Sequence, residues 1–180
     1  STLVVPENPI TRAKFPFIDV HSHQYRMGPS DLADRAVEMD AMNMGIMVNL
    51  SGRGGSQLKA MASNVQKHNP SRFAIFTNID FNNVDEATWG ERTVKQLVVD
   101  FENGAKGLKV YKSLGLTNKD SQGKRVAVDD PRLDPVWAKC GELGIPVIIH
   151  TADPKPFWQP YDNQNERWLE LKTHPGRKRE

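Results

Sequence analysis

Short apolar runs alternate along this chain with stretches of three-to-four-residue apolar spacing, and few folds tolerate that alternation. The runs fall at about 17–21, 45–50, 73–79, 105–111 and 145–150, each rich in Ile, Val, Phe or Leu. Leu32, Ala36 and Met39 mark one intervening helix, and Leu58, Met61 and Val65 mark a second. Val94, Leu97, Val98 and Phe101 mark a third. Leu133, Val136, Trp137, Cys140 and Leu143 mark the fourth, which puts the single cysteine in a core and not at a nucleophilic site. Gly45, Gly104 and Gly144 stand where helices must end, since glycine tolerates the left-handed conformation there. Strands read as buried on both faces and separated by helices imply a parallel sheet with right-handed crossovers.

Two architectures share that rhythm, an open doubly wound sheet and a closed barrel. The polar residues choose between them. His23, Asn49, Asp80, Lys109 and His150 fall at or near the carboxyl ends of successive strands. In a barrel those ends ring one pocket; in an open sheet only residues at the switch point meet. The expected fold is therefore α/β, the amino-terminal portion (about five parallel strands) of a (β/α)8 TIM barrel. It forms one domain over 1–180, with an N-terminal extension at 1–14 and a loop and helix after strand five at 151–180. Such a barrel usually takes about 250 residues. The chain is expected to be the first part of a longer polypeptide. The rival expectation is a homo-oligomer in which two copies pair to close the sheet, because open edges invite aggregation.

Composition narrows the partners. Twenty-four basic and 22 acidic residues give a net charge of +2, and no long one-sign block precedes the tail Arg177-Lys178-Arg179. That argues against nucleic acid as a partner. No apolar run reaches membrane-spanning length, and one cysteine forbids an internal disulfide. Compartment stays open between cytoplasm and export with a signal peptide already removed, since the sequence starts at Ser1.

The chemistry concentrates at three strand ends. His21 and His23 close the run Phe15-Pro-Phe-Ile-Asp-Val-His-Ser-His-Gln24. On a strand, residues two apart share a face and lie about 7 Å apart. His150 ends a similar run, Ile145-Pro-Val-Ile-Ile-His150. Three imidazoles with an open position suit a divalent metal, zinc first and manganese as a substitute. The plainer reading is that these are hydrogen-bonded structural histidines. Lys109 would point inward from strand four, desolvated beside cations, which favours its neutral amine. Such an amine can take up carbon dioxide as a carbamate and bridge two ions; alternatively the side chain snorkels to solvent or pairs with a carboxylate. Lys112, on the other face by alternation, would pair with a helix residue or grip a substrate anion.

Phe-Ile-Asp-Val-His-Ser-His, Gly-Leu-Lys-Val-Tyr on strand four and Pro-Val-Ile-Ile-His on strand five together resemble the amidohydrolase superfamily, in its amidohydrolase-related branch. The resemblance runs from about Phe15 onward. It implies a metal-dependent hydrolase, with His21, His23 and His150 binding one or two divalent ions, and a strand-four lysine that is carbamylated in binuclear members. Single-metal members without a carbamate include non-oxidative decarboxylases. The strand-six histidine and strand-eight aspartate of the family have no counterpart here, so this polypeptide alone is expected to be weak or inactive.

Other residues receive smaller roles. Asp19 would orient a ligand histidine as a hydrogen-bond acceptor, or serve structure alone. Arg53, in Ser51-Gly-Arg-Gly-Gly-Ser56, could hold the carboxylate of a small-molecule substrate, and Asp153 would contact substrate in the loop after strand five. The glycine-rich loop fails the dinucleotide fingerprint and reads as a flexible barrel loop. Two alternatives remain for the whole: a nucleotide-binding open sheet, and a non-catalytic partial barrel.

Overall fold

The computed structural model describes residues 7–151 and 153–179; the first six residues of the expected N-terminal extension, Ala152 and Glu180 lie outside the described residues. Strands and helices alternate as β1 (Phe17–Ser22), α1 (Pro29–Met42), β2 (Met44–Asn49), α2 (Gly55–His68), β3 (Phe73–Asn78), α3 (Trp89–Glu102) and β4 (Gly107–Val110). A single distorted turn, α4 (Ser113–Leu116), precedes a long excursion to α5 (Asp134–Leu143) and β5 (Val147–Ile149), and α6 (Trp168–Thr173) closes the order. All five strands are parallel, in the spatial order β1-β2-β3-β4-β5, and they curl into a half-barrel. A doubly wound sheet reverses its strand order at a switch point. The sequential order has no reversal, so the open-sheet alternative is set aside.

Helices cover one face in two groups. Leu32, Met39, Met47, Leu58 and Phe73 bind α1 and α2 to the sheet, while Leu97, Leu108, Val110, Leu133, Val136 and Cys140 do the same for α3 and α5. Burial pushes the Cys140 thiol up to about 11, which leaves it inert as expected. A third cluster, Val48, Leu50 and Phe76 with Ala74 and Ile148, fills the concave side. Gly107 is required there: a Cβ on it would stand 2.5 Å from the Phe76 ring and 2.8 Å from the Pro146 carbonyl. The floor beneath Lys109 is therefore apolar and tightly filled.

Several expectations need correcting. The strands are not all buried on both faces: Ile18 is 55% and Val20 59% exposed, because β1 has a neighbour on one side only. Helix α1 ends on Asn43 at φ 65°, not on Gly45, which lies inside β2; asparagine is the other residue that readily takes the left-handed conformation. Gly104 and Gly144 do take positive φ. The helix expected after strand five is short, Trp168–Thr173.

The Ser51–Ser56 loop is pinned, not loose. Backbone N–H of Asn78 donates to the Arg53 carbonyl at 2.7 Å, and Arg53 N–H donates to the Asn78 side chain at 2.8 Å. A Cβ on Gly52 would come within 2.2 Å of the Phe76 carbonyl oxygen, so only glycine allows the loop to lie this close to β3.

Candidate active site

The carboxyl end of β1 is held by β2 through side chains as well as through the ladder. Asn49, fully buried, accepts from the backbone N–H groups of Gln24 and Ser51 and donates to the Gln24 carbonyl, each at 2.9 Å. The Ser22 hydroxyl donates to the Val48 carbonyl at 3.0 Å. This clamp fixes the backbone around His23 and sets Ser51 beside it. The His21 and His23 rings lie edge-on with centroids 5.3 Å apart. His23 Nδ1 is 2.8 Å from Ser51 Oγ, and its ring stacks on Tyr111 at 6.1 Å between centroids.

Asp19 does not reach an imidazole in this arrangement. Its carboxylate accepts the His21 backbone N–H at 2.9 Å. The β1–β2 register shifts between Asp19 and Ser22.

Lys109 lies in register between Asn78 of β3 and Ile148 of β5, and its side chain is only 1% exposed. Among the described residues, its Nζ is the buried side-chain polar atom without a hydrogen-bond partner. Burial lowers its pKa and favours the neutral amine. Tyr111 stands beside it, the ring centroid 5.8 Å from Nζ. His150 follows β5, its backbone N–H donating to the Val110 carbonyl at 3.1 Å. Burial lowers the His23 pKa, and the charges of His21, Lys109 and His150 push it further the same way. His23 is thus the group at which the charges of the other three are felt together. No three His, Cys, Asp or Glu side chains among the described residues are already gathered as a metal-ligand cluster.

Arg53 sits at φ 59°, an uncommon conformation for a residue with a Cβ. It lines an open cleft of about 450 Å³ together with Tyr25, Ser51, Gly54, Asn78, Ile79, Asp80 and Tyr111. Asn78, not Asp80, is the inward polar group of β3: its amide donates to the Leu50 carbonyl at 3.0 Å, while exposed Asp80 caps a turn at Asn82. Lys112 pairs with Asp153 in the loop after β5, not with a helix residue. Arg179 Nε reaches the same carboxylate at 2.8 Å. Burial alone would raise the Asp153 pKa, but the two cations hold it below the usual carboxylate range.

Residues 18–172, most of the chain, match the family model for amidohydrolases. The chain belongs to the amidohydrolase family. No match is found among curated proteins. For an amidohydrolase, Ser51 and Tyr111 are the functional candidates that the strand-end reading passes over. A signal for Tyr111 was present, since it stands two residues after Lys109 and so shares its face. Ser51 carried none beyond following strand two, and Arg179 meets Asp153 across 26 residues of chain.

Proposed function

We propose that the rim of this half-barrel is the metal-holding part of a hydrolytic site that acts on a C–N or C–O bond of an amide, ester or lactone. The observation that carries this reading is Lys109: a fully buried amine without a hydrogen-bond partner among the described residues, whose charge, like those of His21 and His150, is felt at His23. An orphaned donor in that position is costly unless something completes its surroundings. The donor set fits a divalent ion, zinc foremost, because neutral imidazole is a common zinc ligand; manganese, which favours oxygen donors, would draw more on an anionic oxygen at Lys109. When bound, such an ion acidifies water and polarises a carbonyl.

The chain's own residues have separate tasks. His21, His23 and His150 supply nitrogen donors, so binding would finish a cluster that is only partly gathered. Lys109 offers its Nζ lone pair; attack on carbon dioxide with loss of one N–H proton to solvent yields an anionic carbamate able to reach a second ion. Arg53, beside the cleft, suits a substrate carboxylate. Lys112, tethered by Asp153, offers a second cationic contact near the same strand ends.

Metal uptake by the full chain tests the proposal. Dialysis against zinc or manganese followed by plasma mass spectrometry should find at least one equivalent per chain, and His23→Ala should lose it. Uptake equal to that of a His21→Ala/His23→Ala/His150→Ala variant would overturn the reading. A panel of esters, lactones and aryl carboxylates then separates hydrolysis from single-metal decarboxylation, which would release carbon dioxide instead.

A further inference from the structure

We propose that Ser51 and Tyr111 form a one-directional hydrogen-bond relay that holds His23 as its Nδ1–H tautomer and leaves the Nε2 lone pair free. The polarity follows from three contacts read in order. Tyr111 Oη lies 3.0 Å from the Leu50 carbonyl oxygen, which can only accept, so the single phenolic proton points there. Tyr111 must then accept in its 3.1 Å contact with Ser51 Oγ, and Ser51 spends its one proton on that bond. Ser51 can then only accept across the 2.8 Å contact with His23, which requires a proton on Nδ1. Satisfying all three contacts permits no other arrangement.

Both ends of the relay are fixed. The Leu50 carbonyl also accepts from the Asn78 amide, and the Leu50 N–H donates to the Ser22 carbonyl at 2.9 Å. Asn49 grips the backbone of Gln24 and Ser51. The relay thus joins β1, the loop after β2 and the end of β4, and sets both the tautomer and the ring plane of one imidazole. Histidines that bind metals through one nitrogen are oriented by the bond that the other nitrogen makes. A free imidazole has no such constraint. Ser51 and Tyr111 are positioning residues here. Their benefit to metal binding rests on the function proposed above; the tautomer does not.

Nitrogen-15 NMR of the full-length, metal-free chain at about pH 8, where an ordinary imidazole is uncharged, reads the tautomer directly. His23 should carry its proton on Nδ1. Tyr111→Phe keeps the ring that stacks on His23 but removes the acceptor for Ser51, whose proton can then turn to Nδ1; a substantial Nε2–H population should appear. Ser51→Ala should do the same, and Ser51→Thr should restore the Nδ1–H form. A wild-type proton on Nε2, or a Tyr111→Phe spectrum with the tautomer unchanged, would overturn the relay. A purely structural role would lower the melting temperature without moving the tautomer, and that result also overturns it. Zinc affinity by competition with a chelator should fall about 10–100-fold in Ser51→Ala and Tyr111→Phe. If the tautomers behave as stated and zinc binds neither wild type nor variants, the relay stands and the metal reading fails.

Discussion

The Asp100 carboxylate of α3 caps the first turn of α2, its Oδ1 accepting the Gly55 N–H at 2.8 Å. Oδ2 accepts the Thr77 hydroxyl at 2.6 Å, Gln96 adds a third donor, and the group is almost completely buried. This is the place at a helix start where a phosphate would sit in a nucleotide-binding loop. An anion belonging to the protein already fills it.

Asp100→Ala should therefore cost about 1–3 kcal/mol, because it removes the acceptor of the partly buried Gly55 N–H and leaves the Thr77 hydroxyl only the Arg53 carbonyl. Urea denaturation monitored by circular dichroism measures it. Titration of the wild type with adenine nucleotides should give no saturable signal, and a saturable one would restore the nucleotide reading.

Lys109→Met should raise the stability of the metal-free chain by about 1–3 kcal/mol, the order of the penalty for a buried polar group without a partner. The same substitution should weaken zinc uptake. Paired denaturation and metal-content measurements separate the two effects, and a destabilised variant would mean that Nζ has a partner in solution.

Gly52→Ala should destabilise by several kcal/mol, on the order of other severe backbone clashes, since its Cβ would meet the Phe76 carbonyl at 2.2 Å. Gly141→Ala, in α5 with nothing within 4 Å of the new atom, should instead stabilise by about 0.5–1 kcal/mol through helix propensity. Thermal melts of the two variants should shift in opposite directions.

The excursion between β4 and α5 should be acid-sensitive. Hydrogen bonds from Arg132 outweigh burial and hold the Asp130 carboxyl down to about 2. Its folded pKa lies below the unfolded one, so its contribution is present above about pH 4 and disappears as pH falls toward 2. The full effect is about 2 kcal/mol at neutral pH. Asp130→Asn should flatten this part of the stability profile between pH 5 and pH 2, followed by urea midpoints at each pH.

Much of this architecture was legible in the sequence. Period-2 and period-3.6 patterns are local, and they placed all five strands and the helices between them. The strand-end residues Lys109 and His150 could be found because parallel strands deliver their last residues to one rim. What the sequence did not display depends on contacts between distant segments. Ser51, Tyr111 and Leu50 form a bonded series only once three strands lie side by side. Asn43 supplants Gly45 because both can end a helix and only the register of β2 decides. The exposure of Ile18 and Val20 depends on how many neighbours β1 has, which its own residues do not encode.

That single-sided pairing has a consequence for His21 and His23. Their strand is anchored through β2 alone, so its amides should exchange with solvent sooner than those of β3 or β4. Two of the three imidazoles thus ride on one edge of the sheet and the third follows the other edge strand, β5, while the lysine stands on β4 between neighbours. Beside the backbone ladder, a few side chains, Asn49 foremost, act as guy-ropes on an otherwise free margin.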